Sequence, residues 1–254
     1  MKHLICALFL GTLMGCINPE TPDQGTPKDP STWVVCVGME NSQFAGACPG
    51  AEYDCKRMTK LFKQYSTNVN SFISAQATYS NVKAAMTRAA QTADLFIFYY
   101  SGHGGAANTG NKQEADGQDA FLCFWDREMM DDEVWSIISK CKGRVMIIFD
   151  CCHSATMYKV PAPITFKRVV PARATHTVDG SLSLMVWSGC PDDTYSYGDD
   201  NGGKLTNTLL KYFNPSMSYD YIWNCIENDK PLKRFEEVQR TLMGARFGSK
   251  KIFR

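Results

Sequence analysis

The chain has no excess charge of either sign: 27 Lys and Arg stand against 26 Asp and Glu in 254 residues. That balance removes the usual electrostatic ground for a nucleic-acid partner, which is held through a basic face. There is no internal repeat, so solenoids and propellers are set aside. No G-x-G-x-x-G turn follows the first β-branched run, Trp33–Gly38, which sets aside a dinucleotide-dependent dehydrogenase. No cysteine pair has the C-x₂₋₄-C spacing that wraps zinc, and this argues against a metal site built from His103, Cys151, Cys152 and His153. What remains is an ordinary globular balance, 44% apolar and 21% charged, that excludes wholesale disorder and fibres.

The first sixteen residues are of another kind. Lys2 and His3 precede an apolar run, Leu4–Met14, that ends at Gly15-Cys16. A basic start, about ten apolar residues and a small residue at the junction describe a secretory signal peptide. The run falls short of the roughly 20 residues a spanning helix needs. Leu13-Met14-Gly15-Cys16 resembles a bacterial lipobox, which makes Cys16 the expected lipid attachment point. Residues 17–31 hold Pro19, Pro22, Pro27 and Pro30 without an apolar period and read as a linker, so the body is expected over 32–254. Nine of the eleven cysteines lie in that body. An odd number cannot all pair, so at least one is a thiol or bonds another chain.

Within the body, apolar runs alternate with helical periods. Strands are expected at Trp33–Gly38, Asn68–Ser74, Asp94–Tyr100, Ala120–Trp125, Arg144–Phe149 and Leu184–Trp187. Helices are expected after Pro49, over Asn81–Gln91 and over Asp131–Cys141, with residues 104–118 as a Gly- and Asn-rich loop. Strands that are uniformly apolar and alternate with helices predict an α/β fold with a mostly parallel central sheet covered on both faces. Such sheets place ligands outside the carboxyl ends of their strands.

Three strand ends deliver chemistry to that edge. Tyr100 is followed by Ser101-Gly102-His103-Gly104-Gly105, Phe149 by Asp150-Cys151-Cys152-His153, and Trp187 by Ser188-Gly189-Cys190. A cysteine nucleophile needs a base to reach its thiolate form, and a histidine on a neighbouring strand end supplies one. Glycines beside His103 let backbone N–H groups approach a substrate carbonyl oxygen. On residues alone, Cys151 and Cys152 are both open as the nucleophile.

The segments YYSGHGG and FDCCHS resemble the paired signatures of metacaspases and other caspase-like cysteine peptidases. Gly50–Met58, the stretch from Asp116 to Glu133, and Trp187–Cys190 with Gly202–Thr206 are similar to three further segments of that family, in order. The separation of His103 from Cys152, 49 residues, fits the spacing of about 50 seen in caspase-type enzymes. The resemblance implies a three-layer α/β/α sandwich and a Cys-His dyad acting through a thioester acyl-enzyme. It makes Cys152 the nucleophile and His103 the base, with the N–H groups of Gly104 and Cys152 as the oxyanion hole. It maps the pocket for the residue before the scissile bond, P1, to Ala51, Asp54, Ser101 and Asp150. Two carboxylates there suit a P1 Arg or Lys. The plain alternatives are a helix-start carboxylate for Asp54 and a turn-capping one for Asp150.

The resemblance also implies a Ca²⁺ site at Asp119, Asp131 and Asp132, although no cofactor is required for the dyad's chemistry. The family's fourth calcium position falls near Met157-Tyr158-Lys159, where a lysine weakens such a site. The expectation is thus an exported endopeptidase of a bacterial cell envelope, lipid-anchored and monomeric, acting on polypeptides with a basic P1 residue and on no nucleic acid. The competing expectation is a catalytically silent caspase-like interaction module. The basic tail, Lys230–Arg254, with eight basic and two acidic residues, reads as a solvated final helix and strand.

Overall fold

The structure, a computed structural model, describes residues 27–108, 118–151, 182–189, 198–234, 238–244, 247 and 250–253. In chain order the elements are β1 (Asp29–Met39), α1 (Ala51–Phe62), β2 (Ser66–Ile73), α2 (Tyr79–Thr92), β3 (Leu95–Gly102), β4 (Gly104–Asn108), β5 (Gln118–Cys123), β6 (Glu128–Met130) and α3 (Asp131–Ile138). They continue with β7 (Arg144–Asp150), β8 (Ser183–Ser188), β9 (Gly198–Asp199), β10 (Gly202–Gly203), α4 (Lys204–Tyr212), α5 (Tyr219–Glu227) and β11 (Gln239–Met243). The central sheet has the order β11-β8-β7-β3-β1-β2. Its strands are parallel except β11, which runs antiparallel along β8.

Uniformly apolar strands follow from burial on both faces. Alternate residues of β1, β3 and β7 (Val35, Phe98 and Ile147 among them) pack under α2 and α3, around Val82, Met86 and Ile137. The intervening residues, such as Val34, Ile97 and Ile148, pack under α1, α4 and α5, around Met58, Leu205 and Ile222. The result is a three-layer α/β/α sandwich with two apolar cores and one sheet between them.

Local signals set several element ends. The Thr78 side chain accepts from the Asn81 N–H at the start of α2, and Ser218 does the same for Tyr221 at α5. At α3, Glu133 reaches back to accept from the Met130 N–H at 3.1 Å.

Five expectations shift. β1 opens at Asp29, three residues ahead of Thr32, because it pairs there with Ser66 of β2. Ser74 leaves the second strand for a short 3₁₀ turn, and the third helix closes at Ile138 rather than Cys141. The expected loop 104–118 begins as strand: Gly104–Asn108 pairs antiparallel with β5, although Gly, Ala and Asn are poor strand formers. The basic tail carries a 3₁₀ turn at Leu232–Arg234 and then β11. Residues 1–26 and the sequence around Cys152 lie outside the described residues, as do the signal peptide, Cys16 and most of the linker.

Candidate active site

β3 and β7 are neighbours, and their register sets Ser101 against Asp150. Both pairs end at the carboxyl edge of the sheet. His103 follows Ser101 by two residues and Cys152 follows Asp150 by two, although Cys152 and its N–H lie outside the described residues. Cys151 is described: it is buried within the core under α2 and α3, where a thiol packs as a small apolar group.

His103 is half-buried between β3 and β4, and its backbone is clamped. Its carbonyl accepts from the Tyr100 hydroxyl at 2.7 Å and from the Cys123 N–H at 3.0 Å. The ring contacts the Ala47 carbonyl through Nε2 at 3.2 Å. A carbonyl only accepts, so Nε2 carries the proton in this contact and Nδ1 is left as the basic nitrogen. Gly104 pairs with Leu122, while the Cys123 N–H bonds the carbonyl before Gly104. That alternation makes Gly104 and Leu122 a non-hydrogen-bonded pair, so the Gly104 N–H points away from β5. An N–H turned outward beside His103 has the direction an oxyanion donor needs.

The expected pocket residues do come together. Ala51 and Asp54 occupy the first turn of α1, and both are buried. Asp54 Oδ2 accepts from the Ser101 hydroxyl at 3.0 Å and from the Gly203 N–H at 2.7 Å. Asp150 Oδ2 accepts from the Thr206 N–H at 2.8 Å, and Thr206 in turn shares a 2.7 Å bond with Tyr99 across the core. Burial first, and the Asp150 charge second, push the Asp54 carboxyl up to about 7. The bonds from Gly203 and Arg57 pull the other way without outweighing burial.

Gly202 and Gly203 close over both acids. A Cβ on Gly202 would sit 2.0 Å from Asp54 Oδ1, and one on Gly203 would sit 2.1 Å from Asp150 Oδ2. Gly202 also has φ of +96°, a backbone region that side-chain-bearing residues rarely adopt. Only residues without side chains fit this approach.

Sequence reasoning passed over Arg57. Its Nη2 donates to Asp54 Oδ1 at 2.5 Å and to the Asn201 carbonyl at 3.2 Å, while Nη1 donates to Asn207 Oδ1 at 2.7 Å. An internal guanidinium therefore already occupies one oxygen of the acidic pair, and its Nε is buried without a partner. The signal was available in the i,i+3 spacing of Asp54 and Arg57 on one helix. Tyr100 and the Ala47 carbonyl were also passed over, for want of any local pattern.

The three carboxylates expected to hold Ca²⁺ lie apart from this pocket. Asp119 is buried on β5, and Asp131 and Asp132 open α3, where Asp131 Oδ1 accepts from the Asp132 N–H at 2.8 Å. Ca²⁺ takes about six to eight oxygens. Among the described residues no three His, Cys, Asp or Glu side chains gather so as to hold a metal ion. The expected fourth position near Lys159 lies outside the described residues.

A parallel-sheet sandwich that brings a histidine and a cysteine pair to neighbouring strand ends defines the caspase-like class of α/β domains. The caspase domain model of peptidase C14 matches residues 34–242, and the chain belongs to that family. It is 27% identical over 173 residues to metacaspase-3 of Arabidopsis thaliana, covering 58% of this chain and 48% of that protein. It is 28% identical over 276 residues to metacaspase-1 of Cryptococcus neoformans var. neoformans, covering 77% of this chain and 59% of the relative. The chain thus spans about half the length of these relatives. Among solved structures, a protein from Geobacter sulfurreducens superposes with a TM-score of 0.69 at 23% identity, over 88% of this chain and 98% of its own. Caspase-1 of Spodoptera frugiperda superposes at 0.58 and 11% identity, over 91% and 94%. These two likenesses are of fold.

Proposed function

We propose that the chain is a cysteine endopeptidase that cleaves after Arg or Lys. The observation that carries the reading is the register of Ser101 with Asp150, from which His103 and Cys152 each follow by two residues. Burial of Cys151 in the core favours Cys152 as the nucleophile. In this reading the Cys152 thiolate attacks the scissile carbonyl carbon. The new oxyanion is held by the Gly104 N–H and the Cys152 N–H. Collapse breaks the C–N bond as protonated His103 gives its proton to the leaving amine, which leaves a thioester. His103 then takes a proton from water, the hydroxide attacks the thioester, and the acid product leaves as the thiolate is restored.

Asp54 and Asp150 receive the P1 cation, Asp54 exchanging its Arg57 partner for the substrate's guanidinium or ammonium. Export through the N-terminal segment, a lipid anchor on Cys16 and a monomeric state belong to the same reading. Cys16→Ser is expected to move the protein from the membrane to the soluble fraction.

The decisive experiment is hydrolysis of matched fluorogenic peptides with P1 Arg, Lys or Asp. Activity on Arg and Lys should fall at least about 10³-fold in both Cys152→Ala and His103→Ala. Cleavage after Asp alone would overturn the pocket assignment. Equal activity in Cys152→Ala would overturn the nucleophile.

A further inference from the structure

At the opposite edge of the sheet a surface cavity of about 340 Å³ is lined by Arg144, Lys250, Lys251 and Phe253. Arg144 is the first residue of β7 and Asp150 its last. A seven-residue strand separates the cavity from the candidate active site by roughly 20 Å. The volume lies at the small end of small-molecule sites, roughly 300–1,000 Å³. Three of the four described lining residues are cationic, which disfavours an apolar ligand.

Among the described residues their cations meet no acidic partner. None of the three forms a salt bridge with a described acid, whereas Lys211 and Arg240 pair closely with Asp229 and Asp220 on the same face. Arg144 is half-buried and lies 5.9 Å from the Phe247 ring, which limits the directions its fork can take. Beside it, the Tyr219 hydroxyl is fully buried, and its interaction with the Arg144 side chain helps to hold the guanidinium in place. Burial pushes the Tyr219 hydroxyl up in pKa, while the Arg144 charge and a hydrogen bond with its side chain pull the other way.

The backbone builds the site. The Tyr219 N–H bonds the Lys250 carbonyl at 3.0 Å, and Ser218 bridges to Lys251, so the start of α5 ties the backbone of both lysines beside the start of β7. A guanidinium fork and two ammonium groups thereby line one small space.

We infer that this cavity is a binding site for a compact phosphate-bearing anion. The guanidinium takes two oxygens side by side, and the lysines supply point charges. A free polyphosphate and a phospholipid headgroup offer the same chemistry, and the experiment separates them.

The full chain is titrated calorimetrically with inorganic pyrophosphate, and in parallel floated with phosphatidylglycerol or phosphatidylcholine vesicles. Pyrophosphate should bind at one saturable site, weakened at least tenfold by Arg144→Gln and by Lys250→Gln with Lys251→Gln. Arg144→Lys keeps the charge, loses the fork, and should fall between. Lys230→Gln with Lys233→Gln removes as much tail charge elsewhere and should bind as the parent does. Capture by phosphatidylglycerol vesicles alone, lost in the same cavity variants, would assign the site to a lipid headgroup. Equal weakening by the Lys230/Lys233 control, or indifference to Arg144→Gln, would overturn the inference in favour of diffuse attraction to a basic tail.

Discussion

Ser101 donates its hydroxyl to Asp54 at 3.0 Å, and this bond ties the first turn of α1 to the end of β3. The tie seats a carboxylate from a helix beside a carboxylate from a strand, in a place from which water is largely excluded. Much of the site's expected behaviour follows from that seating.

Asp54 titrates at about 7 in the folded chain and near about 3.9 unfolded. Between those values the folded state holds the extra proton, so this group's contribution to stability is greatest below about pH 4. It is lost as pH rises to about 7 and changes little beyond. Urea midpoints measured from pH 4 to 8 should show that decline, and Asp54→Asn should flatten it. A decline of the same size in Asp54→Asn would assign it to another group.

In the proposed reading Arg57 competes with a P1 cation for Asp54 Oδ1. Loss of Arg57 also pushes the Asp54 carboxyl further up, so Arg57→Leu is assayed across rising pH; once Asp54 is ionised, KM for P1 Arg peptides should fall by roughly tenfold, about 1.4 kcal/mol, with kcat near its starting value. An increase in KM would mean that Arg57 holds the pocket open rather than filling it.

Gly203→Ala forces a methyl to within 2.1 Å of the Asp150 carboxylate. Denaturant unfolding should report a loss of about 1–3 kcal/mol from overpacking. Activity on P1 Arg peptides should fall further than that loss explains, since the methyl lands on the pocket itself. Retention of full activity would separate Asp150 from substrate binding.

Tyr100→Phe removes the hydroxyl that holds the His103 carbonyl. The same hydroxyl lies 2.7 Å from the Cys123 carbonyl, so one proton serves two acceptors. The stability cost should be about 1 kcal/mol. If the clamp positions the base, kcat should drop roughly tenfold with KM little changed, because a displaced base spoils the proton transfer and not the binding. Unchanged kcat would reduce Tyr100 to a core residue.

The sheet was legible because β1, β3, β7 and β8 carry unbroken apolar runs that no loop would tolerate. β4 was not, since Gly104-Gly105-Ala106 has neither branching nor apolar bulk and becomes strand only through the partner offered by β5. α4 and α5 passed unread. Each has nine residues, and pairs such as Leu205 with Leu209 give barely two turns of period. The strand-end histidine and cysteines were readable because catalytic chemistry sits in short conspicuous strings. Arg57 was not, because its meaning depends on Asp54 being buried, and burial is a property of the assembled layers.

β11 pairs along β8, but fifty residues lie between the end of β8 at Ser188 and the start of β11 at Gln239. During synthesis from the N-terminus, β1, β2, β3 and β7 can assemble with β8 while β11 is still unmade. For that interval β8 is a largely apolar strand with one bare hydrogen-bonding edge, the kind of surface that recruits another chain. At roughly 5–20 residues per second the exposure lasts several seconds. Slow translation or removal of β11 should therefore show itself as aggregation of nascent chains rather than as a defect in catalysis.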